Sequence, residues 1–187
     1  MKLPKRILIT GAGSGLGQAL ALRFAKHGMQ VACVDINLER AQGTLASLSG
    51  DGHAVFSADV SHDDSMQDLA DKVLADWGVP DILINNAGQG RVSNFENTED
   101  EDWIKEVELK YFSVLHPIRA FLPALKQSDC ASITNVNSLL ALQPEPHMIA
   151  TSSARAALLN LTHSLAHEFS QYSIRVNMQW RVCFTWD

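Results

Sequence analysis

A glycine-rich turn, Thr10-Gly11-Ala12-Gly13-Ser14-Gly15-Leu16-Gly17, joins an apolar run, Ile7-Leu8-Ile9, to an amphipathic stretch from Gln18 to His27. The pattern is strand, tight turn, helix. Glycine at these points lets the backbone take positive φ and come close to a ligand. The first N–H groups of the new helix lack intrahelical partners, and the helix dipole favours an anion in front of them. A pyrophosphate is the natural occupant. Gly11, Ser14, Gly15, Leu16 and Gly17 are therefore read as a dinucleotide cradle rather than a mobile loop.

An acidic residue supports this. Asp35 ends a second apolar run, Val31-Ala32-Cys33-Val34, eighteen residues after Gly17. In a dinucleotide fold such a carboxylate accepts hydrogen bonds from the adenosine ribose and repels a 2′-phosphate. Ile36 and Asn37 carry no positive charge, and Ser14 stands in the turn where an Arg would favour NADP. NAD is expected over NADP. The competing reading of Asp35 is an ordinary turn carboxylate.

Apolar runs alternate with helix-period segments along the chain. Strands are expected at 6–10, 31–35, 54–57, 82–85, 132–136 and 174–177, and helices near 15–27, 38–49, 65–77, 100–126 and 148–171. This alternation predicts a doubly wound parallel sheet with helices on both faces, six strands in the order 3-2-1-4-5-6. A kink is expected near Ser113–Pro117 in the long fourth helix, and an end near Pro123. The 187 residues, 46% hydrophobic and 19% charged, suit a single nucleotide-binding domain over 1–187.

The glycine spacing is G-x-x-x-G-x-G, and Asn85-Asn86-Ala87-Gly88 follows downstream. With these motifs, the chain from about Lys5 to Asn177 resembles the short-chain dehydrogenase/reductase family. The resemblance implies hydride transfer between NAD(H) and an alcohol or carbonyl substrate. Asp59-Val60 is similar to the pair beside the adenine ring, and Asn86, Ala87 and Gly88 to the segment lining the cofactor site. Ile133 to Ser138 is similar to the strand that delivers the catalytic serine, here Ser138, and Val136 on it is counted with the cofactor-binding residues.

Then the pattern departs. The family carries Tyr-x-x-x-Lys thirteen residues after that serine, and this chain has Thr151 and Arg155 there. The family's asparagine on the preceding helix corresponds to Lys110. The tetrad reads Lys110-Ser138-Thr151-Arg155. An aliphatic hydroxyl is too weak an acid to act as proton donor near neutrality. Arg155 keeps the positive charge and can hold ribose hydroxyls, but it stays protonated. Lys110 is the first candidate for the proton if it points inward, where like charge and burial depress its pKa. Its competing reading is a solvated helix lysine. His147, in a proline-rich loop, is the second candidate. A different class of function stays open beside these: a dinucleotide-binding sensor, scaffold or subunit partner with impaired catalysis.

His163 and His167 share a helix face but have no third ligand, so no metal is expected. The net charge of -6 and the lack of a Lys/Arg run exclude a nucleic-acid surface. No apolar run reaches a membrane span, and three scattered cysteines fit a reducing, cytoplasmic setting. By the resemblance, the helices around 100–171 pack against a second subunit, implying a homodimer or homotetramer. Relatives continue after Asn177 to a Pro-Gly turn and a further strand. Here the final strand region is shortened or altered, and Trp180, Val182, Phe184 and Trp186 alternate at strand period. Trp180 and Trp186 are expected to be mostly buried.

Overall fold

The computed structural model describes residues 5–181. Six parallel strands form one sheet: β1 (Arg6–Thr10), β2 (Gln30–Asp35), β3 (Ala54–Ser57), β4 (Ile82–Asn85), β5 (Ser132–Ser138) and β6 (Arg175–Arg181). Their order across the sheet is β3-β2-β1-β4-β5-β6, as the alternation predicts. The helices are α1 (Gly15–Lys26), α2 (Leu38–Leu45), α3 (Asp63–Asp76), α4 (Asp100–Val107), α5 (Ser113–Leu125) and α6 (Ile149–Phe169).

Two apolar clusters account for the layering. Ile7, Ile9, Val31 and Cys33 point to one face of the sheet, against Ala21 and Ala25 of α1 and Ala41 of α2. Leu8, Val34, Leu83 and Ile133 point to the other, against Met66 and Val73 of α3, Phe121 of α5 and Leu158 of α6. The central strands bury both faces, which is why they read as unbroken apolar runs. Burial pushes the Cys33 thiol up to about 12, so it behaves as a small apolar side chain.

The long fourth helix departs from expectation in one informative way. It continues through Pro117 and Pro123 to Leu125, and its irregularity comes earlier, as a π turn over Glu108–Phe112. The Ser113 N–H reaches back five residues to the Glu108 carbonyl. The Ser113 hydroxyl donates to the Leu109 carbonyl at 2.7 Å, back-bonding across the same turn. The Pro117 ring crowds the carbonyl four residues before it, and the widened turn absorbs that strain one turn upstream. Lys110 sits inside this turn.

At the sheet's other end, β6 extends four residues past the expected Asn177. Ile174 is buried, and Val176, Met178 and Trp180 are half-buried on one face, while Arg175, Asn177, Gln179 and Arg181 are exposed. Trp180 is therefore less buried than expected, because β6 pairs only with β5 and lies at the edge of the described sheet. Val182, Phe184 and Trp186 lie outside the described residues.

Candidate active site

The carboxyl ends of β1, β2 and β4 open into a groove of about 590 Å³. Gly11, Ser14, Gly15, Leu16, Asp35, Asp59, Val60, Asn86, Ala87 and Gly88 all line it. This is where open α/β sheets bind ligands. The turn is tightly built. Gly11 has φ +65°, and a Cβ there would lie 2.8 Å from the Ala87 Cα. At Gly17 a Cβ would strike the Gly11 carbonyl oxygen, so no side chain fits where helix and strand meet. Asn86 Nδ2 donates to the Thr10 and Gly11 carbonyls at 3.0 and 3.2 Å. The Thr10 hydroxyl accepts the Asn86 and Ala87 N–H groups. Thr10 and Asn86 thereby lock the two loops together, and nothing lies within 4 Å of where a Cβ would stand on Gly15. An open, backbone-lined cradle at a helix N-terminus fits a dinucleotide pyrophosphate.

Asp35 makes the contacts of a turn carboxylate and stands on the groove wall. Its Oδ2 accepts the Gly13 N–H at 2.9 Å and its Oδ1 the Asn37 N–H at 3.0 Å, and the residue still lines the groove. Asp59 braces the opposite wall. Burial pushes its carboxyl up, but hydrogen bonds from the Ser61 hydroxyl and N–H, with His62 nearby, outweigh this and hold it below the ordinary range.

The groove also contains cations that sequence reasoning passed over. Arg40, on the first turn of α2, lines it, and a Cβ on Gly13 would sit 2.7 Å from the Arg40 Cβ. Arg181, at the end of β6, lines it too. The strand-end position of Asp35 gave no signal for Arg40, which is brought in by the way α2 packs.

The tetrad positions divide. Lys110 is 1% exposed, so it points inward. Its Nζ lies 3.1 Å from Glu106 Oε2, on the preceding turn, yet makes no hydrogen bond of acceptable angle. The Thr151 hydroxyl donates to the same Glu106 oxygen, and it also lies 3.4 Å from the Arg91 carbonyl oxygen. Glu106 thus joins Lys110 on the π turn to Thr151 on α6. Its i, i+4 spacing from Lys110 was visible in the sequence, but that spacing alone denotes a surface ion pair far more often. Burial pushes the Lys110 ammonium down, Glu106 pulls it back up, and Arg155 pushes it down again; the balance is below the ordinary lysine value.

Arg155 Nη1 donates to the Val136 carbonyl at 2.9 Å. A Cβ on Gly88 would lie 3.6 Å from Arg155 Nη2, so the guanidinium sits beside a glycine that lines the groove. Ser138 is buried, and its hydroxyl accepts the Leu140 N–H at 3.3 Å, capping the short turn after β5. Below these groups, Asn85 Nδ2 donates to Asn135 Oδ1, and Asn135 Nδ2 donates to the Thr162 hydroxyl, tying β4, β5 and α6 together. His147 is exposed in its loop. His163 and His167 are exposed on α6, and among the described residues no group of ligating side chains forms a metal site.

Fold and site together define a nicotinamide-dependent oxidoreductase. A model of the short chain dehydrogenase family matches residues 5–180, and the chain belongs to that family. A short chain oxidoreductase from Pseudomonas aeruginosa PAO1, solved with NADPH bound and described as containing an atypical catalytic center, is 42% identical with a TM-score of 0.90. That likeness covers 93% of this chain and 69% of that one. A 3-ketoacyl-(acyl-carrier-protein) reductase from Brucella melitensis, complexed with NADH, is 30% identical with a TM-score of 0.88, over 95% of this chain and 75% of that one. An uncharacterized oxidoreductase of Thermotoga maritima is 36% identical over 176 residues, 92% of this chain and 69% of its own length. Among the described residues no helix is long and apolar enough to cross a membrane.

Proposed function

We propose that the chain is an oxidoreductase preferring NAD(H) over NADP(H), acting on a small alcohol or carbonyl compound, with Lys110 in place of the family's tyrosine as the proton-exchanging group. The bound nicotinamide supplies or accepts the hydride. The observation that carries this reading is the inward, almost fully buried Lys110 beside Arg155. A general acid–base needs a pKa brought toward neutrality, and burial with a neighbouring cation does that to a lysine. Thr151 is not the donor in this reading, because an aliphatic hydroxyl is too weak an acid near neutrality. Arg155 holds charge beside the groove, and Ser138 orients the substrate oxygen.

The cofactor preference rests on Asp35, whose carboxylate is fixed by two backbone N–H groups at the groove wall. Arg40 in the same wall works against it, and the Pseudomonas relative was solved with NADPH, so the preference is expected to be moderate. A single domain and a homodimer or homotetramer complete the reading. Leu159, Leu161 and Ala166 remain half-buried on α6 and offer the subunit contact.

The test is a fluorescence titration with NADH and NADPH, followed by a 340 nm screen of small aldehydes, ketones and alcohols. Tighter NADH binding with turnover on a carbonyl supports the reading. Binding without turnover on any of them replaces it with the non-catalytic, dinucleotide-binding one.

A further inference from the structure

Glu106 stands between two spaces. On one side it meets Lys110 and Thr151. The residue also lines a side pocket of about 250 Å³, together with Ser61, Gln89, Arg91, Lys105 and Glu108. This pocket is separate from the dinucleotide groove but shares Ser61, Gln89 and Leu109 with it. A buried carboxylate that contacts an otherwise unbonded ammonium and also borders a polar pocket has no structural need to do both. A core ion pair contributes little net stability.

We propose that Glu106 is the positioning residue of this site: its carboxylate holds the Lys110 ammonium and refills it with protons from the side pocket. The proposal rests on Lys110 being the proton-exchanging group. In carbonyl reduction the electron pair arrives as hydride, which the established activity supplies. An Nζ–H bond of Lys110 breaks and the product O–H bond forms. The Glu106 carboxylate then accepts a proton from water in the side pocket, which solvent acid resupplies, and passes it to the Lys110 amine, so that carboxylate and ammonium are both restored. Alcohol oxidation runs the same route backwards, and neither direction moves the proton through the occupied groove.

The charged groups around this route are few. Lys110 faces Glu106 from its own helix and Arg155 from α6. Arg91 and Lys105 line the side pocket, and both pair with Asp102, at 2.7 and 3.5 Å. Glu108 lines the same pocket. Glu106 is the carboxylate that borders both spaces.

The experiment follows the Lys110 side chain directly, by NMR titration of lysine-labelled protein, with the Lys110 signal identified by its loss in Lys110→Met. Glu106→Gln is expected to move the Lys110 midpoint acidward by about one pH unit or more, since the opposite charge at contact distance is gone. Thr151→Val, which keeps that charge, is expected to leave the midpoint in place. On the carbonyl substrate selected by the screen, Glu106→Gln is expected to lower kcat at least thirtyfold with unchanged KM for NADH. Added formate, small enough for the side pocket, then restores kcat severalfold and leaves the wild type unaffected.

An unmoved midpoint, an equal shift in Thr151→Val, or no response to formate overturns the proposal. Should Glu106→Gln fail to fold, Glu106→Asp, with its carboxylate drawn back by one methylene, takes its place, with a smaller acidward shift expected and no shift overturning the idea. Retained turnover in Lys110→Met removes the Lys110 reading itself. An unmoved midpoint with Lys110→Met inactive removes Glu106 alone.

Discussion

Lys110 Nζ lies 3.1 Å from Glu106 Oε2 in a place almost closed to water, with 1% and 3% of the two side chains exposed. On an ordinary helix this i, i+4 pair is a surface contact of a few tenths of a kcal/mol. Here the π turn over Glu108–Phe112 carries the lysine into the protein and α6 closes over it. The pair is thereby taken out of water and set against α6, where the proposed chemistry uses it.

Replacing Lys110 by Met removes the amine proposed to exchange the proton and keeps an apolar chain of similar length. Turnover is expected to fall by about a hundredfold, the usual size of a lost acid–base group, with the Kd for NADH nearly unchanged. The pH profile has a definite sign. Carbonyl reduction uses the ammonium, so the rate is full at low pH and declines as pH rises through the Lys110 pKa. Burial, opposed by Glu106 and assisted by Arg155, sets that decline below the ordinary lysine range. A profile that declines only where free lysine titrates counts against this role.

In the proposed reading, cofactor choice turns on Asp35. Its replacement by Ala removes the negative charge at the groove wall and leaves Arg40 there. The preference for NADH over NADPH is expected to narrow by about tenfold, equivalent to about 1.4 kcal/mol. Paired binding titrations check this, and an unchanged ratio rejects the assignment of Asp35 as the discriminating group.

Gly17→Ala tests the cradle. Its Cβ meets backbone, the Gly11 carbonyl oxygen, which no side-chain rotation relieves. A loss of about 1–3 kcal/mol or more is expected, together with weakened NADH binding, as both depend on the same turn. Gly43→Ala, with nothing within 4 Å of its Cβ on α2, is the matched control and is expected to be neutral or slightly stabilising in a thermal melt.

Asp81 anchors the start of the sheet far from the chemistry. Its Oδ2 accepts the Lys5 and Arg6 N–H groups, and its Oδ1 accepts from the Ser128 hydroxyl and the Cys130 thiol. Burial pushes its carboxyl up, yet these donors outweigh burial and hold it below the ordinary value. A carboxyl lowered on folding stabilises the fold above its unfolded pKa of about 3.9 and loses that contribution as pH falls through the folded value. Asp81→Ala is expected to cost about 1–2 kcal/mol at pH 7, discounted for partial exposure. The gap to wild type closes below about pH 4. A gap independent of pH contradicts it.

The six strands, their order, the dinucleotide turn and its acidic partner were legible in the sequence, because they depend on local rules: apolar period, glycine at a backbone junction, and strand followed by helix. β3 and β4 have their expected bounds because their flanks carry turn residues, while β5 and β6 run on past theirs along each other's hydrogen-bonding edge. The departures at Thr151 and Arg155 were equally visible as letters. Tertiary structure alone decided what those letters do. Whether Lys110 faces water or the core depends on the width of one helical turn. Glu106 acquires its place only when α4 and α6 meet over Lys110, and Arg40 enters the groove only through the packing of α2 against β2. Local sequence fixes which groups a segment carries, whereas burial and the partners that set a proton's affinity come from elements dozens of residues away.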